Sequence, residues 1–306
     1  MTSDCKMNVF ICRKYSRWLV CCFIALIPCM WLYYWNYVRI EPFPELESMP
    51  ARTGGKFFEG SFEFKCNRRG NHRTIVRYVI PLNPDTGQPL ESASNMVFYA
   101  PFNGEAPSIR KRGFPEWVRY FPEQAGCSLF TLSIDVKKGE NSNSSNYYIY
   151  EKGGWYEIFW GIKRHLEKSF QLEERPLLVT GQSSGGSLAE HLVAAYPERI
   201  ACAAWNGGTA YGPLPDAASQ VPMLALHTEG CYGIPSTQRL YSSCLSKNNN
   251  LVCGIVPPNE EEKARNLHHE ATALAYRLMQ LFLTDRLAFE KLWKEHTEII
   301  PLCNEQ

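Results

Sequence analysis

The sequence predicts an α/β fold: a mostly parallel central sheet with helices on both faces, preceded by one N-terminal transmembrane helix. Three observations lead there. Short apolar runs of strand length alternate with helix-period segments between about residues 96 and 283, the pattern of parallel strands joined by crossover helices. Residues 18–38 hold no charged side chain and have the length of a bilayer-spanning helix. Between a strand-like run and a helical run lies Gly181-Gln182-Ser183-Ser184-Gly185, a Gly-x-Ser-x-Gly pattern in the strand–turn–helix setting of a nucleophile elbow.

The N-terminal segment reads as a signal anchor. Lys6, Arg13, Lys14 and Arg17 precede it against Asp4 alone, and Arg39, Glu41, Glu45 and Glu47 follow. This basic excess orients residues 1–17 to the cytoplasm and the remainder outward. Trp31, Tyr33, Tyr34, Trp35 and Tyr37 gather at the far end, as an interfacial aromatic belt does. The expected organisation is a cytoplasmic N-terminus (1–17), a transmembrane anchor (18–38), a Pro- and Glu-containing linker (39–55) and one large extracytoplasmic domain (56–306). Secretion after signal cleavage is the alternative, but no Ala-x-Ala-like site follows the apolar run. Leu26-Ile27-Pro28-Cys29 resembles a lipobox only loosely, and so long a stretch without charge argues against a core helix.

The domain's elements follow in order. Residues 61–65 and 74–80 read as an opening antiparallel pair, 81–94 as a turn-rich loop, and 96–100 and 129–134 as strands. Residues 137–146 are polar and read as a surface loop. Residues 155–170 are helical, with Ile158, Phe159, Ile162 and Leu166 on one face. Leu177, Leu178 and Val179 form a buried-strand run; Leu188, Leu192, Ala195 and Tyr196 then recur at helical spacing until Pro197 ends the pattern. Strands at 200–205, 223–226 and 251–256, and helices at 236–245, 267–283 and 287–296, complete the chain.

Composition excludes some functions. With 32 basic and 31 acidic residues, the domain lacks the basic footprint of a nucleic-acid binder. No Cys-x-x-Cys or His-x-x-x-His spacing supports a metal site, and no cofactor is expected. Seven of the twelve cysteines follow the anchor; Cys231, Cys244 and Cys253 form the pool from which disulfides are expected, and an odd number leaves at least one unpaired.

The elbow supplies the chemistry. A serine on so sharp a turn projects its hydroxyl above the sheet, and glycines are needed on either side because a Cβ would clash. The following helix aims its N-terminal N–H groups and partial positive charge at a developing oxyanion. Gly181-Gln182-Ser183-Ser184-Gly185-Gly186, the run Tyr99-Ala100-Pro101-Phe102-Asn103-Gly104 and histidines before a late amphipathic helix together resemble the α/β-hydrolase superfamily. The nearest branch is that of esterases such as feruloyl esterases and polyhydroxybutyrate depolymerases, over roughly residues 60–285.

That resemblance implies a serine esterase-type hydrolase acting through an acyl-enzyme on Ser183, with the order Ser, acid, His along the chain. It implies His268 or His269 as the base, with a slight preference for His268. It implies an acid after the strand at 223–226, where the family pattern His-Gly-x-x-Asp becomes His227-Thr228-Glu229-Gly230-Cys231. The usual aspartate falls on Cys231, so Glu229 is the candidate and Asp216 the runner-up. The implied oxyanion donors are the main-chain N–H groups of Ser184 and of Phe102 or Asn103. Phe102, Trp155, Tyr156, Trp160, Trp205 and Tyr211 could line an acyl pocket, although each taken singly fits a core position. The short interval before Met223 leaves no room for a long cap, so the site is expected to be open. A small-molecule, lipid or polymer ester is the implied substrate. The rivals are an inactive binding protein on the same fold, suggested by Cys231, and a lipase, thioesterase or peptidase.

Overall fold

The computed structural model describes residues 26–31, 55–66, 72–102, 108–109, 112–135, 155–208, 214–229, 231, 233–235, 237–239, 251–264 and 272–302. The chain divides into two compact units, residues 1–42 with 65–72, and residues 43–64 with 73–306. In the first, residues 26–31 are helical and Leu26, Ile27, Met30 and Trp31 are exposed. The rest of the expected anchor lies outside the described residues. Among the described residues no helix is long and apolar enough to cross a membrane.

The second unit is built on one sheet. The sheet's strands are β1 (Phe57–Cys66), β2 (His72–Pro81), β3 (Met96–Ala100), β4 (Ser128–Asp135), β5 (Leu177–Gln182), β6 (Ile200–Asn206), β7 (Met223–His227), β8 (Leu251–Ile255) and β9 (Ile300–Pro301), the last two residues of β1 and the first of β2 being counted with the first unit. Their order is β1-β2-β4-β3-β5-β6-β7-β8-β9. All pairings from β4 through β8 are parallel, while β2 on β4 and β9 on β8 are antiparallel. All five residues of β3 and of β7 are buried, as continuous apolar runs must be when helices cover both faces.

The helices are α1 (Glu116–Glu123), α2 (Trp155–Phe170), α3 (Ser184–Ala195), α4 (Glu260–Ala264), α5 (Ala273–Thr284) and α6 (Arg286–Glu295). On one face of the sheet Tyr99, Leu129, Ala204 and Leu224 pack with Phe121 of α1, Leu278 and Phe282 of α5, and Phe289 of α6. On the other, Phe159 of α2 meets Phe98 at 4.7 Å and Phe130 at 5.8 Å between ring centroids. A Cβ on Gly186 of α3 would stand 3.1 Å from the Trp205 Cβ.

Several boundaries differ from the sequence reading. The helix expected from residue 267 begins at Ala273, because the Thr272 side chain accepts the Ala275 N–H at 3.0 Å and caps it there. Residues 265–271 lie outside the described set. β1 and β2 are longer than expected; β2 pairs with β4 from Arg73, one residue before the expected start. Neither α1 nor β9 was legible: α1 has a proline at its N-cap and another inside it, and β9 is two residues long. Of the helix expected over 236–245, residues 234–235 and 237–239 are helical, so it starts earlier. The disulfide expectation is corrected for Cys231, which is a buried free thiol, as are Cys127 and Cys202. Cys231 turns inward to place its Sγ 3.4 Å from Nδ1 of His227; Cys244 lies outside the described residues.

Candidate active site

The sheet changes direction beside β3. The chain runs from β3 to β4 on one side and returns as β5 on the other. In open parallel sheets the crevice at the C-terminal ends of strands at such a switch is where ligands bind. Two segments emerge there: Pro101–Phe102 after β3, and Ser183 after β5.

Ser183 has the strained backbone of an elbow, with φ 54° and ψ −122°. Gln171 and Ser183 are the non-glycine residues with positive φ among those described; such a conformation costs about 1–3 kcal/mol and persists only where the surroundings enforce it. The surroundings are visible. The Ser183 N–H donates to the Asn206 carbonyl at 2.7 Å, and the Ser183 carbonyl accepts from the N–H groups of Gly186 at 2.9 Å and Ser187 at 3.2 Å. A Cβ on Gly181 would lie 2.4 Å from the Gly185 carbonyl oxygen, and one on Gly185 would lie 2.0 Å from that of Ala100. Both are backbone atoms that cannot swing aside. The glycines are therefore needed for close approach, and the twelve residues of α3 begin at Ser184 with their dipole directed toward Ser183.

Ala100 pairs with Gly181 across β3 and β5, so Phe102 leaves the sheet next to the start of α3. Phe102 is exposed. Asn103 lies outside the described residues, as do His268 and His269. Glu229 is exposed on the loop after β7. Its charge adds a small share to the raised pKa of Lys263, which is set mainly by the hydrogen bond from Lys263 to Glu260. Asp216 is exposed in the turn before β7. Of the aromatic candidates, Trp160 and Trp205 are core residues, and Tyr156 packs on Tyr196 at 5.0 Å; Tyr211 lies outside the described residues.

Some polar groups around the elbow escaped the sequence reading. Gln182, buried next to Ser183, accepts the Tyr276 hydroxyl at 2.8 Å, and Tyr276 stacks on Trp117 at 4.6 Å and 17°. These contacts fasten the first turn of α5 to the strand that leads into Ser183. Asn206 is buried at the end of β6. His227, fully buried at the end of β7, places Nε2 2.7 Å from the Thr237 hydroxyl and Nδ1 near Cys231. Burial lowers the His227 pKa to about 4, so at neutral pH the ring is uncharged. It works as a post for the loop: a Cβ on Gly233 would lie 2.5 Å from the Gly208 carbonyl oxygen and 3.0 Å from His227 Cε1. The signal for His227 was its strand-end position, and nothing local marked Thr237 as its partner.

No family model matches the chain and no curated protein matches it. Solved structures do. A cold-adapted esterase from an Arctic intertidal metagenomic library, in a PEG-bound complex, aligns with 79% of this chain and 100% of its own at 12% identity and a TM-score of 0.51. An S-formylglutathione hydrolase from Agrobacterium tumefaciens aligns with 79% of this chain and 98% of its own at 11% identity, TM-score 0.48. A thermostable esterase aligns at 16% identity over 79% of this chain, TM-score 0.49, and this chain spans 63% of that enzyme's length. Identities this low speak to architecture and not to chemistry. Sheet order, the switch beside β3 and the sharp turn after β5 agree with the likeness to the cold-adapted esterase, at a TM-score of 0.51: the chain has the α/β-hydrolase fold.

Proposed function

We propose that the protein is a serine hydrolase acting on carboxylic esters through an acyl-enzyme on Ser183. The observation that carries this reading is the Ser183 backbone, held at positive φ between two glycines that cannot bear a side chain. A hydroxyl is a weak nucleophile at its own pKa and needs a base. His268 or His269 takes the Ser183 proton as Oγ attacks the ester carbonyl. The N–H groups of Ser184 and of Phe102 or Asn103 receive the oxyanion. The histidine returns the proton to the departing alcohol, and water then releases the acyl group by the same steps in reverse roles. Glu229 is the carboxylate that the loop after β7 offers to orient the base, and its exposure leaves that influence screened by solvent.

The test is hydrolysis of short p-nitrophenyl esters by the full chain beside Ser183→Ala, His268→Ala, His269→Ala and Glu229→Gln. Loss of turnover with Ser183→Ala and with one histidine variant is expected. Turnover that survives Ser183→Ala would refute the reading. A second reading, a binding protein on the same fold, is favoured by one observation: Cys231 stands where the family's acid is usual and is committed to His227. A folded chain with no turnover and no covalent labelling of Ser183 would select it. We further propose that residues 18–38 anchor the domain outside the cytoplasm. Resistance of the full chain to alkaline carbonate extraction is the expected result, and release would contradict it.

A further inference from the structure

At the end of the sheet away from Ser183, three segments meet around a cavity of about 150 Å³. Trp160, Lys163 and Arg164 line it from α2, Arg175 from the chain entering β5, and Glu198 and Arg199 from the turn Pro197–Arg199 before β6. The strand register brings these segments together. Leu177 pairs with Ile200, so Arg175 and Arg199 stand at the N-terminal ends of neighbouring strands. Ser183 follows the other end of β5, six residues and roughly 20 Å of extended chain away. The cavity is therefore separate from the elbow.

Four cations and two carboxylates line the cavity, and their commitments differ. Lys163 is buried against Glu167. Arg175 is held by Glu173 at 2.5 Å and by Asn95 at 3.2 Å. Arg164 is exposed and makes no ion pair or hydrogen bond among the described residues. Arg199 lies 3.8 Å from the Glu198 carboxylate, too far for a hydrogen bond. Its guanidinium stands instead over the rings of Trp160, at 5.1 Å, and Tyr196, at 5.9 Å. A guanidinium held by its face on aromatic rings leaves its N–H fork free for an acceptor. Trp160, also in the wall, is 5% exposed, and its indole N–H has no hydrogen-bond partner, an arrangement that costs stability until an acceptor arrives. The two lining carboxylates, Glu174 and Glu198, are exposed, where solvent and salt screen them.

We propose that this cavity binds a phosphate group, held between the guanidinium groups of Arg164 and Arg199. Donors without acceptors call for an oxyanion, and two forks offered by different elements select its kind. A carboxylate has two oxygens, which a single guanidinium fork fills; a phosphate has enough acceptor oxygens to bridge two. The size agrees: the cavity falls below the roughly 300–1,000 Å³ of pockets that take drug-sized ligands, so the bound group is compact. Lys163 and Arg175, already paired, keep the wall in place. The site lies at the far end of β5 from Ser183 and stands whether or not that serine is a nucleophile.

The test titrates the full chain with sodium phosphate at constant ionic strength, exchanged against chloride, and reads the thermal midpoint. Wild type should show a saturable rise, as a ligand of the native state gives. Arg164→Gln and Arg199→Gln should each weaken the apparent affinity tenfold or more through loss of a charge-assisted contact. Arg199→Lys keeps the charge but not the fork and should recover little of it. Lys294→Gln, exposed on α6, removes the same charge elsewhere and should respond as wild type. Both arginines are exposed, so the midpoints without phosphate should stay near wild type. Glycerol 3-phosphate beside inorganic phosphate identifies the source: tighter binding assigns a phosphomonoester on a larger molecule, and equal binding assigns the free ion. No saturable rise in wild type would overturn the site. An equal rise in wild type and both arginine variants would also overturn it, as a general effect of an excluded salt.

Discussion

Gly185→Ala puts two opposing effects in the balance. Gly185 is buried in the first turn of α3, where helix propensity alone favours alanine by up to about 1 kcal/mol. The added Cβ would stand 2.0 Å from the Ala100 carbonyl oxygen, 2.9 Å from the Ala100 carbonyl carbon and 3.2 Å from that of Pro101. All are main-chain atoms at the end of a central strand, so α3 and β3 must part by roughly 1 Å or more. Overpacking of this kind costs about 1–3 kcal/mol, occasionally more, and it exceeds the propensity gain. A 1 Å displacement between a nucleophile and its oxyanion donors costs about a hundredfold in rate. The variant should therefore melt several degrees below wild type and react with a fluorophosphonate about a hundredfold more slowly. Gly87→Ala is the control: Gly87 has φ +67° with nothing within 4 Å of the added Cβ, so it should cost about 1 kcal/mol of backbone strain and leave the labelling rate alone. A Gly185→Ala protein that is as stable as wild type and labels at the wild-type rate would refute the close approach of β3 and α3.

Three further outcomes are expected. Ser183→Gly should abolish labelling yet stabilise the fold by about 1 kcal/mol, because glycine adopts φ 54° without strain; equal or lower stability in chemical denaturation would contradict the strain. The folded pKa of His227 is about 4 against 6.5 for the free side chain, so the unfolded chain binds the extra proton first. That contribution is whole above pH 6.5 and falls by about 3 kcal/mol as pH drops toward 4; denaturation midpoints of His227→Gln should lose this dependence. Lys163 and Glu167 form a buried ion pair on α2. Lys163→Met should cost about 3–5 kcal/mol by leaving a buried carboxylate unpaired, and adding Glu167→Leu should restore most of it.

How far the sequence reaches can be judged from particular residues. β3 and α2 were legible to the residue, because one is a continuous apolar run and the other a long periodic one. The elbow was legible because Gly181, Ser183 and Gly185 each answer a local steric demand that the structure shows in ångströms. The start of α5 was not, since apolar periodicity does not reveal that Thr272 caps the helix. α1 was hidden by its prolines. The partner of Gln182 was beyond reach altogether: Tyr276 lies 94 residues away along the chain, and Gln182 occupies a variable position of its motif. Cys231 entered the disulfide pool on composition alone, whereas its partner is set by a loop folding back on His227.

The most direct measurement is peptide mapping by mass spectrometry after the full chain reacts with a fluorophosphonate. The account predicts one adduct per chain, on the Ser183 hydroxyl, absent from Ser183→Ala and from heat-unfolded protein. An adduct elsewhere, or none on natively folded chain, would contradict the claim that this turn carries an activated nucleophile.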